Sequence, residues 1–260
     1  MTEPETNLHA REVSVVIPCL NESAAVAECV SAARGWFERS GVAGEVIVVD
    51  NNSTDSTAER AAAAGAQVIR ETKAGKGHAV RSGVTQSAGR YVVMSDGDGT
   101  YDLSDLGPLL APLRDGYDMV IGNRMRGKIA EGAMPWHHRY IGNPFFNALI
   151  TVATRKRFGD CLSGLRAFTP AAWEAMSPRA HGFQLESEMC LQAAKRGLRI
   201  ATVPINYAPR KEPSKLSSLR HGIAITLFIV RRSPAALLAP LVVALTLMGA
   251  LGAAARRIRA

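Results

Sequence analysis

The chain has 260 residues, 47% of them apolar and 21% charged, and a formal net charge of +8. This composition excludes a disordered chain, and four cysteines with no C-x-x-C spacing exclude a zinc or disulfide scaffold and read as core thiols in a reducing compartment. The charge is concentrated: residues 1–207 hold 22 basic and 22 acidic side chains, whereas beyond them nine cations face the single acid Glu212. Those cations flank the uncharged stretch 233–255, a setting that points to lipid headgroups and away from nucleic acid.

Residues 1–12 read as a polar tail without a signal-peptide pattern, which leads us to expect a cytoplasmic main domain. Short β-branched runs at 13–18 (VSVVIP), 45–50 (EVIVVD), 67–70, 90–95 (RYVVMS) and 118–122 (DMVIG) are predicted strands, apolar enough for burial on both faces. Between the first two, Val26, Val30, Ala33 and Phe37 recur at helical spacing. After the second, Thr54-Asp55-Ser56 reads as a cap on an Ala-rich helix that stops at Gly65. This alternation, without repeats or linkers, predicts one α/β domain over 13–212 with a mostly parallel sheet flanked by helices. Residues 213–232 are predicted to form a basic interfacial helix, 233–255 a transmembrane helix with Pro240 inside it, and 256–260 a basic tail. A lone membrane helix leaves association with a second copy open.

Ligands of a parallel sheet bind at the carboxyl ends of its strands. Three of those ends are polar: Asn21-Glu22, Asp50-Asn51-Asn52 and Asp96-Gly97-Asp98. Asp96 and Asp98, one residue apart on a turn, offer oxygen ligands suited to Mg²⁺ or Mn²⁺ and its bound diphosphate, while Gly97 and Gly99 let the backbone come close. Gly75-Lys76-Gly77 is not a P-loop, because no hydroxyl residue follows Lys76 and no upstream glycine has the required spacing.

Taken in order, Ile17-Pro18-Cys19-Leu20-Asn21-Glu22, Val48-Val49-Asp50-Asn51-Asn52-Ser53-Thr54-Asp55, Gly75-Lys76-Gly77 and Asp96-Gly97-Asp98-Gly99-Thr100 resemble the inverting glycosyltransferases of the GT-A fold. The resemblance covers about residues 13–215 and continues through Gly122-Asn123-Arg124, Arg139 with Asn143, Asp160-Cys161-Leu162-Ser163-Gly164-Leu165-Arg166 and Val203-Pro204. It is strongest to the dolichol-phosphate-mannose-synthase-like branch. It implies metal-dependent transfer of a hexose from a nucleotide-sugar of the GDP-mannose or UDP-glucose type to a polyprenyl phosphate, dolichyl or undecaprenyl, with inversion. Pro18, Leu20, Glu22, Val49, Asp50 and Asn51 would then hold the nucleotide, with Lys76 and Gly97 also on the donor side. Asp96, Asp98 and Thr100 would hold the metal, and Arg124, Arg139 and Asn143 the acceptor phosphate. Asp96, Asp98, Arg124 and Arg139 are the implied catalytic set. Arg210, Ser214 and Lys215 resemble a mobile basic segment that closes over the donor diphosphate.

Three positions depart from the branch's pattern. Asn51 replaces a second Asp, Thr100 stands in place of a metal-binding Gln, and the closing segment lacks the Gly before Ser214-Lys215. Some residues keep two readings. Lys76 serves the donor or simply starts a helix, and Glu186 and Glu188 face the sugar or stabilise a helix N-terminus. His137 and His138 have no acidic partner at metal spacing and read as surface or packing residues. Two rival functions remain: direct transfer to a glycan or secondary-metabolite hydroxyl, with Asp160 or Glu186 as base, and a non-catalytic membrane subunit that binds nucleotide-sugar.

Overall fold

The computed structural model describes residues 11–212 and 218–238. The β-branched runs form strands β1 (Arg11–Cys19), β2 (Gly44–Asp50), β3 (Gln67–Arg70), β4 (Gly89–Met94) and β5 (Met119–Asn123). Along β1 the side chains alternate: Val13, Val15, Ile17 and Cys19 enter one apolar layer and Val16 the other. On one face pack α1 (Val26–Ser40), α2 (Thr57–Ala63) and α4 (Gly107–Arg114). On the other lie α3 (Lys76–Gln86), α5 (Asn143–Thr154), α6 (Pro170–Met176), α7 (Leu185–Lys195) and α8 (Ser218–Arg232). The N-terminus of α2 is served by Asp55, whose Oδ1 accepts from the Thr57 amide at 3.0 Å. The Ser56 side chain makes no capping bond.

Two further strands, β6 (Arg166–Phe168) and β7 (Ile200–Pro204), complete a seven-stranded sheet of order β3-β2-β1-β4-β6-β5-β7. All pairings are parallel except those of β6, which runs antiparallel to both β4 and β5. Two consequences place the site. Successive connections leave β1 toward β2 on one side and β4 on the other, so the carboxyl ends of β1 and β4 flank a topological switch point, where α/β sheets bind ligands. The reversed β6 starts at the same end, with Arg166 opposite Met94 and Ile121, and so brings the loop 160–165 to that switch point.

The expected helix after the domain is α8. The expected transmembrane stretch 233–255 lies mostly outside the described residues; its first part enters a 3-10 turn, Pro234–Leu238. No helix among the described residues is long and apolar enough to cross a membrane. The tail 256–260 and Lys215 also lie outside the described residues.

Candidate active site

The loops that follow β1 and β2 are stitched together. Asn21 and Asn52 adopt left-handed backbones, φ 51° and 69°, a conformation Asn tolerates better than most residues. The Asn21 amide donates to Ser53 Oγ at 3.0 Å, and Asn21 Oδ1 accepts from the Thr54 amide at 2.8 Å. The Glu22 amide donates to Thr57 Oγ1 at 2.9 Å. Asp50 turns inward and accepts the Ser53 amide at 3.1 Å. The polar motifs at these two strand ends thus hold each other as well as facing the switch point.

Asn51 has a structural task that the sequence did not announce. Its Nδ2 donates to the carbonyls of Glu71 and Lys73, both at 2.9 Å, and its Oδ1 accepts the Gly75 amide at 2.7 Å. One carboxamide therefore fixes the loop that delivers Lys76, and Asp in this place could not donate to either carbonyl. The Val49 side chain is fully buried in the core. Leu20 is 39% exposed and Pro18 half-buried, so both remain accessible to a ligand, and Glu22 is buried beside them.

Lys76 is more than a helix-start lysine. Its Nζ lies 2.5 Å from Asp96 Oδ1 and 2.5 Å from Glu186 Oε1, bridging the end of β4 to the start of α7. The flanking glycines make this approach possible, because a Cβ on Gly77 would stand 1.9 Å from the Ala180 carbonyl oxygen. Burial disfavours the Lys76 charge, but the attraction of Asp96 and Glu186 outweighs it and holds the ammonium charged. Burial likewise pushes the Asp96 carboxyl up, yet Lys76 overrides it and keeps Asp96 below the usual carboxylate range. Gly97 is required by packing: a Cβ there would sit 2.4 Å from Cys19 Sγ. Glu188 turns the other way, accepting the amides of Arg179 and Ala180 at 2.7 and 2.6 Å, so of the two acids only Glu186 joins the site.

Asp98 is almost fully buried. Its Oδ1 accepts from the Thr100 amide at 3.0 Å and from Thr100 Oγ1 at 2.6 Å, while Oδ2 pairs with Arg210 at 2.7 Å. Thr100 therefore orients Asp98 with its hydroxyl. Arg210 belongs to a strap laid across the strand ends: Lys211 pairs with Glu28, and Glu212 Oε1 accepts the Ala24 amide at 2.8 Å.

Beyond Arg210 opens a cavity of about 590 Å³ between the turn 132–142, α5 and α8. Arg124, Arg210 and Asn143 line it, with Ile141, Phe146, Leu162 and Ile225 as apolar wall. Arg124 donates bidentately to Asp160, Nε to Oδ2 at 2.7 Å and Nη2 to Oδ1 at 2.8 Å, and its carbon stands 5.2 Å from the Tyr207 ring. Arg139 does not join Arg124. It is exposed, lies 5.4 Å from its neighbour Tyr140 and is not part of the cavity wall. The reason is local: His138–Gly142 is a π-helical turn, in which the Asn143 amide bonds the His138 carbonyl, so the wider turn breaks the α-helical register expected between Arg139 and Asn143. His137, which is exposed, and His138, which is half-buried, line the cavity instead.

The profile of glycosyl transferase family 2 matches residues 14–174, the span that carries these strand ends and the first half of the cavity. The chain belongs to glycosyl transferase family 2. Among its relatives is the low-salt glycan biosynthesis hexosyltransferase Agl6 of Haloferax volcanii, 37% identical over 86% of this chain. The chain spans 54% of that relative's length. A dolichyl-phosphate hexose transferase of the same organism is 35% identical over 72% of this chain and 80% of its own length. Among solved structures, glucosyl-3-phosphoglycerate synthase from Mycobacterium tuberculosis, in complex with Mn²⁺, UDP and phosphoglyceric acid, superposes with a TM-score of 0.66 at 25% identity, covering 88% of this chain and 78% of that one. The expected GT-A-like α/β architecture and family 2 membership therefore hold.

The buried Arg166 of the loop motif escaped functional reading by sequence. Its guanidinium donates to the carbonyls of Ser163, Glu186 and Cys161 at 2.9, 2.9 and 2.6 Å, clamping the loop to the start of α7. Only the presence of a charged residue among the apolar Leu165, Ala167 and Phe168 hinted at it.

Proposed function

We propose that this family 2 chain moves a hexose from a nucleotide-sugar to a polyprenyl phosphate, with a divalent-cation-held diphosphate as leaving group. The observation that carries the reading is the cavity beside Asp98. Arg210 and Arg124 line it at the donor end, the rest of its wall mixes apolar side chains with imidazoles, and it opens between two surfaces that expose large apolar side chains. Trp136, Tyr140 and Ile141 project on one side, and Leu219, Ile223 and Leu227 on the other. The last three recur every fourth residue and make one outward stripe on α8, with Arg220 and Arg231 at its ends. Aromatic and basic groups in this arrangement suit the headgroup layer of a membrane. A lipid phosphate could then reach the donor while its chain stays in the bilayer, with the protein held at the membrane surface. The similarity to a dolichyl-phosphate hexose transferase supports the same acceptor.

The donor set fits Mg²⁺ or Mn²⁺, since Asp96 and Asp98 present hard oxygen ligands. Among the described residues no three His, Cys, Asp or Glu side chains could hold a metal together, so diphosphate and water oxygens would complete the shell. The cation, once bound, offsets charge on the departing diphosphate. The solved relative that contains Mn²⁺ and UDP supports this assignment. Lys76 and Arg210, already on the two carboxylates, are placed to turn to the diphosphate. An oxygen of the acceptor phosphate attacks the anomeric carbon opposite the diphosphate, and the linkage inverts. A hydroxyl acceptor would need a base, but Asp160 is committed to Arg124 and Glu186 to Lys76.

One other acceptor is favoured by a specific observation: a small phosphorylated acid, as in the phosphoglycerate-bound relative. The test is nucleoside diphosphate release from a panel of nucleotide-sugars with Mg²⁺ or Mn²⁺, alone, with polyprenyl phosphate, or with 3-phosphoglycerate. Release that depends on the lipid phosphate is expected. Release that responds to phosphoglycerate alone overturns the lipid reading, and donor binding that gives no lipid-linked product shifts it to direct transfer onto a hydroxyl acceptor.

A further inference from the structure

The two arginines that line the acceptor cavity are both matched by carboxylates. Arg124 is held bidentately by fully buried Asp160, and Arg210 by Asp98. Their charge is thus largely spent before an acceptor arrives. The third expected cation, Arg139, points elsewhere. What the cavity offers in addition is imidazole: His137 and His138 from the turn 132–142 and His221 from α8. His138 is held at one ring nitrogen. Its Nε2 lies 2.7 Å from Ser218 Oγ at the first turn of α8, so one ring nitrogen is engaged and the other is left for a ligand.

An acceptor phosphate monoester has its second ionisation near pH 6, so near neutrality part of it arrives as the monoanion, with a proton on a potential nucleophile. We propose that His138 takes this proton and holds the acceptor phosphate as its dianion. The proposal rests on the polyprenyl-phosphate reading and deepens it. The phosphate O–H bond breaks as an imidazole N–H bond forms; the phosphate oxygen then bonds the anomeric carbon, and the carbon–oxygen bond to the diphosphate breaks with its electron pair on the diphosphate. The imidazolium returns its proton to solvent after the product leaves.

The surroundings favour the proton-accepting form in the resting site. Burial, then His137, then Arg124 push the His138 pKa below the ordinary imidazole value. The charged and titratable groups that line the cavity with it are His137 on its own turn, Arg124 with Asp160, Tyr207 against Arg124, Arg210 and Glu212 on the strap, and His221 on α8. A dianionic phosphate brought among them reverses the balance and stabilises the imidazolium beside it. Proton removal is therefore coupled to acceptor binding, and an imidazolium–dianion pair forms only with phosphate in place.

The test is a pair of pH profiles for the full-length protein and His138→Gln, with polyprenyl phosphate as varied substrate and saturating donor. His138→Gln should lower kcat/KM for the acceptor by up to about 10-fold at pH 5, where only about a tenth of the phosphate is already a dianion, and by less than about twofold at pH 8.5. A loss equal at both pH values, or none, overturns the role of His138 while leaving lipid-dependent turnover by the unaltered protein intact. Absence of lipid-dependent turnover by the unaltered protein sinks the acceptor reading itself and the proposal with it. A second measurement needs no turnover: the ³¹P shift of a short-chain isoprenyl phosphate bound to the protein should titrate at lower pH than in water, and His138→Gln should return it to the free value. An unshifted titration with the unaltered protein contradicts the proposal, and unchanged nucleotide binding by the variant shows that it is folded.

Discussion

At the carboxyl ends of β1, β2 and β4 the ionised groups come as matched sets: Lys76 with Asp96 and Glu186, Arg210 with Asp98. The acceptor cavity a few residues away is walled mainly by apolar side chains, imidazoles and arginines whose charge is already answered. The donor end has to receive a diphosphate and a cation together, and paired charges pre-organise it without a large uncompensated field. The acceptor end has to admit a long apolar molecule that carries one phosphate, so shape and exposed apolar rim matter more there than fixed charge. This contrast gives two kinds of failure under mutation, one electrostatic and abrupt, the other graded.

The largest effect is expected at Asp98. Asp98→Ala should lower turnover by at least about 10³-fold and abolish metal-dependent donor binding by calorimetry. Metal-dependent binding of unchanged strength would break the view that Asp98 anchors the donor end. Next comes Lys76→Met, which leaves Asp96 and Glu186 facing each other without their cation. At pH 7 it should cost about 3 kcal/mol in denaturant unfolding. The pH dependence has a definite sign. Because the folded-state pKa of Asp96 is depressed, its stabilising contribution is present above the ordinary carboxylate pKa and lost as pH falls through the lowered value. The gap between Lys76→Met and the parent protein should therefore close below about pH 4, and a gap independent of pH contradicts the pairing.

Asn51→Asp comes third. It removes two donated hydrogen bonds to the Lys76 loop and should cost about 2 kcal/mol, raising donor KM with little change in acceptor KM. The smallest effect is expected at Arg139. Arg139→Ala should change acceptor KM by less than about twofold, as for an exposed charge, whereas Arg124→Lys, which loses the bidentate fork, should change it by about 10²-fold. Equal effects at the two arginines would mean that the π turn rearranges when acceptor binds.

These two regions also differed in how far the sequence revealed them. β1, β2, β4 and β5 were legible because strands buried on both faces are written as unbroken β-branched runs, and their polar ends stand out against that background. β6 was not, because three residues beginning with a buried Arg166 carry no strand pattern and its position depends on pairing with β4 and β5. Asp96, Asp98, Lys76 and Arg210 converge as their motifs implied. The hold of Asn51 on the Lys76 loop was not legible, because a side chain that serves its own loop looks the same in sequence as one that serves a ligand. Nor was it legible that Arg139 lies outside the cavity wall and His138 in it, because a π turn leaves no mark in residue spacing.

The proposed reaction leaves the sugar on a lipid phosphate. The most direct measurement is mass spectrometry and proton NMR of the product formed by the full-length protein from the donor it turns over, with Mg²⁺ or Mn²⁺ and polyprenyl phosphate. A hexosyl phosphodiester of the lipid with a β-anomeric linkage from an α-linked donor is expected. Sugar recovered on water or on another acceptor, with the lipid phosphate unchanged, would contradict it.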